Sequence, residues 1–271
     1  MHPDLLSLGP LTIHTYGAMM ALGFLLAWFF ANRLCKKTGQ NPDYLSALLS
    51  WLMLSGVLGA RIAYVWEHWE SEFASHPAAI IRIDQGGLMF YGGLIAAALA
   101  LVLYTAATRK KLLTVTDLVL TVVPLGHAFG RVGCFFFGCC YGRQVSSPLS
   151  VCFPQMSPAW YEQLNAKLIP QTAVESLPVL PTQLFEAAAL AVLFIVLYFR
   201  YQKNRVMAGR QSALYLISYA CIRFVIEYLR GDPRMEVGPL SISQTISCGV
   251  LLLGLALLVT SRGKGSSRPS R

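Results

Sequence analysis

The stretch "YGAMMALGFLLAWFFANRLC", residues 16–35, carries a single charge, Arg33, close to its end. About 20 mostly apolar residues are what an α-helix needs to cross the hydrocarbon core of a bilayer. Six more candidates follow, near 45–66, 87–108, 113–131, 183–201, 211–230 and 240–261. The whole chain agrees with this reading. Of its 271 residues 55% are hydrophobic and only 13% charged, against about 25% charged in a soluble domain. The sequence therefore predicts an all-α integral membrane protein, a bundle of seven transmembrane helices.

The basic residues orient the bundle. Arg33, Lys36 and Lys37 follow the first span, and Arg109, Lys110 and Lys111 the third. Arg200, Lys203, Arg205 and Arg210 follow the fifth, and Arg262, Lys264, Arg268 and Arg271 form the tail. With seven alternating spans these fourteen of the 22 basic residues share one side, the cytoplasmic one by the positive-inside rule. The N-terminus is then outside and the C-terminus in the cytoplasm. The net charge of +9 is a topology signal and not a nucleic-acid footprint, because the cations border apolar runs. No cleavable signal is expected, since "MHPDLLSLGP" lacks a basic region. Residues 1–271 are read as a single membrane domain, with 132–182 as a small extracytoplasmic head. Its "SPAWYEQLNAKL" is expected to form a short amphipathic helix. Residues 262–271 read as a disordered cytoplasmic tail.

Ionisable residues inside spans are costly and mark function by default. In "YACIRFVIEYLRGDPR", Arg223, Glu227 and Arg230 stand at i, i+4 and i+7 and share one helical face. Arg61 follows the small-residue series "SGVLGA" in the second span. Arg131 ends the fourth span one turn after His127, and Glu186 shares a face with Gln183 at the start of the fifth. Four arginines, all expected in the outer half of the bilayer, suit an anion, because the guanidinium fork matches phosphate. A phosphate in an apolar, membrane-embedded site points to a phospholipid headgroup. The glycine pairs of "DQGGLMFYGGLIAA" (84–97), Gly92 and Gly93 among them, either contact that ligand or form a tight turn.

The segment "HAFGRVGCFFFGCCYGR" (127–143) adds three thiols. With Cys152 they have the spacing C-x4-C-C-x11-C, which contains no C-x-x-C redox pair. A disulfide between Cys152 and Cys139 or Cys140 is one expectation, and unpaired packing thiols the other. No metal site and no cofactor are expected.

The ordered series "IHTYGAMMALGF", "GARIAYV", "DQGGLMFYGGLI", "GRVGCFFFGCCYGR", "PTQLFEA" and "YACIRFVIEYLR" resembles the bacterial phosphatidylglycerol–prolipoprotein diacylglyceryl transferases over most of the chain. The resemblance implies transfer of a diacylglyceryl group from phosphatidylglycerol to the thiol of a lipobox cysteine in a prolipoprotein signal peptide. Glycerol phosphate would be released, at a site toward the outer half of the bacterial cytoplasmic (inner) membrane. The implied partners are that lipid, that peptide and the bilayer, with no nucleic acid. By motif, Tyr16 falls on the first-span tyrosine, Arg131 and Gly142 on the signature, Glu186 on the fifth-span acid, and Arg223 and Glu227 on the sixth-span pair. Tyr91 stands where the family commonly has His, and Cys134, Phe137 and Cys139 where its signature has Asn, Asn and Glu. Catalytic roles are expected for Arg131, Arg223, Glu227, Glu186, Tyr91 and His127. Substrate binding is expected for Tyr16, Arg61, Arg230, Gly92, Gly93 and Gly142. Against this stand three other readings: an inactive or altered paralogue that binds phospholipid, a transporter or lipid-binding protein without chemistry, and a membrane thiol oxidoreductase using Cys134, Cys139, Cys140 and Cys152. Internal repeats, which mark many transporters, are missing, and so is C-x-x-C.

Overall fold

Each predicted span becomes one helix in the computed structural model, which describes residues 4–8, 11–82, 86–203, 207–234 and 236–261. The long helices are α1 (Thr15–Thr38), α2 (Pro42–Glu67), α3 (Phe90–Ala107), α4 (Leu112–Phe137), α6 (Thr182–Gln202), α7 (Arg210–Leu229) and α8 (Ile242–Ser261). All seven are long and apolar enough to cross a membrane. Their outward faces carry Leu94, Ile95, Leu99 and Leu103 on α3 and Leu252, Leu253 and Val259 on α8, each more than half exposed. Apolar surface on that scale suits lipid and not water. There are also two short antiparallel hairpins, β1 (Asp4–Leu8) with β2 (Leu11–His14) and β3 (Glu236–Val237) with β4 (Leu240–Ser241). The tail at 262–271 lies outside the described residues.

The chain divides into two compact units, Met1–Ala31 with Thr116–Arg271, and Asn32–Val115. In the second, α2 and α3 pack along a seam of small residues. Asn41 starts α2 by accepting N–H bonds from Asp43 and Tyr44 on its side chain, with Pro42 at the first helical position. Further along, Gly59 and Gly92 bring the two backbones together: a Cβ on Gly92 would lie 2.5 Å from the Gly59 carbonyl oxygen, and one on Gly59 2.7 Å from that of Gly92. Small residues at a crossing are how helices approach closely without a hydrophobic driving force.

In the first unit, Phe30 of α1 meets Phe194 and Tyr198 of α6 edge to face, at centroid separations of 5.3 and 5.4 Å. Leu193 and Leu197 of α6 pack with Tyr215 of α7. A buried carboxylate fixes the start of α7. Asp117 of α4 accepts from the backbone N–H groups of Gly209 and Ser212, both at 2.7 Å, and from the Ser212 hydroxyl at 2.6 Å. An anion at a helix N-terminus satisfies donors that the helix itself leaves open.

The fourth helix runs six residues beyond the expected end at 131, to Phe137, and reaches it despite Pro124. The connection to α6 is shortened accordingly and is not plain loop. Phe153, Tyr141, Ala159 and Val179 form a small core of their own. The amphipathic helix expected there is α5 (Pro158–Asn165), whose N-cap Ser157 accepts from the Trp160 N–H at 3.3 Å. It turns Ala159, Trp160 and Gln163 inward.

Replacing Gly59 by Ala forces the α2–α3 seam apart and should destabilise the protein by about 1–3 kcal/mol, the range for overpacking. A lower thermal midpoint in detergent reads this out. The Gly249→Ala change, whose added Cβ meets nothing within 4 Å, should leave the midpoint unchanged or slightly raised.

Candidate active site

Glu186 is the centre of the first unit's polar interior. It lies one turn into α6, with its side chain only 3% exposed. From α4, Arg131 approaches through Nε at 3.1 Å and His127 through Nε2 at 3.9 Å. From α7, Arg223 reaches the same carboxylate at 3.7 Å and continues to Glu227 at 2.9 Å. Glu227 in turn faces Arg234 at 2.7 Å, Arg230 at 3.9 Å and the Ser241 hydroxyl at 2.7 Å. Arg230 closes the series with a bidentate pair to Asp232. Burial opposes the charge on Arg230, but the Asp232 bond and the nearby carboxylates outweigh it and raise its pKa. Four guanidiniums on three carboxylates leave one surplus positive charge, held in an apolar surround.

The network is not saturated. Arg131 faces Glu186 as an ion pair through Nε, yet that buried Nε forms no hydrogen bond among the described residues. Its side chain is 15% exposed, so the guanidinium is within reach of an incoming anion. Glu186 is likewise under-used, because Oε1 accepts no hydrogen bond and faces only His127. Glu227 differs in that its oxygens face three guanidiniums and a hydroxyl, although its Oε2 too accepts no hydrogen bond.

Below this network, α4 ends in a turn that gathers the thiols. Gly138 takes φ +85°, and both it and Cys139 donate their N–H groups to the Cys134 carbonyl, at 2.9 and 3.2 Å. That is a Schellman-type closure, and it folds Cys139 back over Cys134. Cys140 adopts φ +60°, a left-handed conformation uncommon outside glycine. The first turn of α6 holds it there: Thr182 donates to the Cys140 carbonyl at 2.8 Å and Gln183 to that of Cys139 at 2.6 Å. Hydrogen bonding with Cys134 and Cys139, aided by Arg230 and Arg131, draws the Cys140 thiol below its ordinary range. Contacts with the other two thiols and burial push Cys139 up.

Gly142 follows, where three chain segments meet. Its N–H donates to Leu180 O at 2.8 Å, and a Cβ there would lie 2.7–2.8 Å from Leu180 and the Leu229 carbonyl. Next to it the Tyr141 hydroxyl bonds Glu162, and burial together with that carboxylate raises the hydroxyl's pKa. Tyr16, 42% exposed, lays its ring against Gly133.

Matching these positions to known proteins, residues 3–260 fit the family model described as prolipoprotein diacylglyceryl transferase. The chain belongs to that family. It is 34% identical over 264 residues to the phosphatidylglycerol–prolipoprotein diacylglyceryl transferase of Pseudoalteromonas translucida, covering 95% of this chain and 91% of the relative. To the Legionella pneumophila (strain Lens) enzyme of the same name it is 33% identical, covering 95% and 96%. The Clostridium perfringens relative, the transferase numbered 2, is 32% identical, covering 94% and 93%.

The structure brings His127, Arg131, Glu186, Arg223, Glu227 and Arg230 into one network, joining residues whose spacing had related them only within single helices. Other expectations change. Arg61 was expected to bind substrate; instead it donates to the carbonyls of Ala79, Ile80, Arg82, Gly86 and Gly87 at 2.7–3.2 Å. All five of its N–H groups are used, so it staples the chain beyond α2 and has none for a ligand. Gly92 and Gly93 face Gly59 and Gly56 across the α2–α3 seam. Tyr91 stands half exposed in the first turn of α3, edge-on to Phe90. The seven cysteines are free thiols. Cys152 is not bridged to Cys139 or Cys140, since it lies by Glu175 while they close on Cys134. Sequence reading missed Arg234, Asp232, Ser241 and Ser243, which accepts from Arg223 at 3.0 Å. The signal was the "RGDPR" after α7, which reads as an ordinary polar loop.

Glu227→Ala leaves Arg223, Arg230 and Arg234 without their shared partner. Removing one member of a buried ion pair costs about 3–5 kcal/mol. The variant should lose that much stability, seen as a markedly lower unfolding midpoint in detergent, and an unchanged midpoint would contradict the network.

Proposed function

We propose that this protein transfers the diacylglyceryl group of phosphatidylglycerol to the lipobox cysteine thiol of prolipoproteins and releases glycerol phosphate. One observation carries the reading beyond family membership: Arg131, on the family's signature arginine, and Arg223 both flank Glu186, and Arg131 Nε and Arg223 Nη1 form no hydrogen bond. These two guanidiniums take the lipid phosphate and the charge that builds on it as the ester bond breaks. Preorganised donors aimed at developing charge are the main electrostatic means of catalysis. Glu186 and Glu227 position the two guanidiniums, and Arg230 adds positive field.

The attacking species is the thiolate. Of the three candidate bases, Glu227 is surrounded by three cations. The His127–Glu186 pair remains as proton acceptor, because Glu186 Oε1 faces His127 and not a guanidinium. Tyr16 and the turn at Gly142 shape the lipid site. The site opens toward the outer half of a bacterial inner membrane, with the N-terminus outside, the segment after α4 forming an external head, and the C-terminus in the cytoplasm. The positive-inside pattern supports this orientation.

The test is purified protein in vesicles containing phosphatidylglycerol, with a lipobox peptide. The expected products are the peptide's diacylglyceryl thioether and glycerol phosphate, by mass spectrometry. Arg131→Ala and Arg223→Ala should each lower the rate by at least about 10²–10³-fold, the scale for losing one such donor. Arg131→Lys should not restore it, because an ammonium lacks the planar fork. Wild-type rates in both alanine variants would overturn the assignment.

A further inference from the structure

The proposed transfer leaves one built feature without a role. The sulfur atoms of Cys134, Cys139 and Cys140 all lie within 4.8 Å of one another. Two of them are placed by a turn with two positive-φ positions within three residues, Gly138 and Cys140. Holding a non-glycine residue in that region costs energy, and such costs concentrate at functional sites. Three packing thiols require no such turn. All three residues are partly exposed.

We propose that Cys134, Cys139 and Cys140 form an open three-thiolate site for a thiophilic d10 cation, zinc by preference, whose fourth position takes the thiol of the acceptor cysteine. This rests on the transferase reading and deepens it. A tetrahedral zinc with Zn–S of about 2.3 Å sets its sulfurs about 3.8 Å apart, so the thiols need close by no more than about 1 Å. Structural zinc sites have four protein ligands, whereas catalytic ones have three and an open position. Among the described residues no fourth His, Cys, Asp or Glu joins this cluster. Three thiolates on a divalent ion carry one negative charge, and Arg131 and Arg230 are close enough to Cys140 to offset it.

The chemistry balances. The acceptor thiol loses its proton as its sulfur coordinates, and the His127–Glu186 pair or the departing phosphate takes that proton. The bound sulfur attacks the glyceryl carbon bearing the phosphate ester. The S–C bond forms and the C–O bond breaks, its electron pair leaving with glycerol phosphate. No oxidant or reductant is involved.

Full-length protein in detergent, reduced and stripped with a chelator, would be titrated with Zn²⁺ and with Co²⁺. About one ion per chain is expected, with a thiolate-to-cobalt charge-transfer band. Cys134→Ser and Cys139→Ser should abolish uptake, while Cys152→Ser should retain it. A lipobox peptide should change the cobalt band, and its Cys→Ser version should not. Lack of stoichiometric uptake by the wild-type protein overturns the proposal, and so does uptake unaffected by both substitutions or a band indifferent to the cysteine peptide. The transfer assay separates the two readings. Full transfer by metal-free protein overturns the metal site and leaves the transferase standing. Metal and peptide binding without transfer supports the site while the transferase reading fails.

Discussion

Two carboxylates buried in a membrane-spanning interior set the terms for the rest of this protein. Glu186 and Glu227 have side chains only 3% and 1% exposed. Neither can stay ionised in an apolar medium alone, since the cost of desolvating a charge is several kcal/mol even after relaxation. Each must be met by cations from more than one element. Glu186 draws α4 and α7 onto α6, while Glu227 draws in the segment after α7 and the start of α8 through Arg234 and Ser241. The α7 helix is also fixed at its other end by Asp117 of α4. Polar contacts at both ends thus determine how α4, α6 and α7 lie against one another, and apolar packing fills between.

Much of this is legible in the sequence, and the reason differs by feature. Hydrophobic length is a local property, so all seven spans could be read from it. The Arg223–Glu227 pair could be read too, because i, i+4 spacing on a helix is also local. What failed was whatever depended on chain partners. Arg61 looks like Arg131 in sequence, a lone guanidinium after small residues, and only its five carbonyl acceptors distinguish it. Arg234 and Asp232 lie past the helix end in what reads as an exposed turn. The end of α4 was placed at 131 because the charge of Arg131 interrupts the apolar run, whereas the helix continues through "VGCFFF" until Gly138 closes it.

That continuation decides how the thiols are read. A helix ending at 131 would leave Cys134, Cys139 and Cys140 scattered along a loop, where their spacing means little. Ending at Phe137, it puts Cys134 on the last turns and the next two cysteines in the turn that folds back on it. The residues that lock this turn, Thr182 and Gln183, lie on the same helical start as Glu186. One element therefore sets both the guanidinium network and the thiol turn, and a shift of α6 moves both together.

The ion network is a poor device for stability alone. Buried ion pairs often gain nothing over well-packed apolar residues of similar volume, and an apolar core would have sufficed to hold three helices together. What an apolar core cannot supply is a guanidinium oriented and unsatisfied at once. Arg61 shows the alternative outcome: with all five donors on backbone carbonyls it is a structural staple, charged but chemically silent. Arg131 faces Glu186 as an ion pair, and its buried Nε makes no hydrogen bond. The two arginines thus differ in how many of their N–H groups folding uses, not in net charge. By that measure Arg131, unlike Arg61, keeps hydrogen-bonding capacity unspent among the described residues.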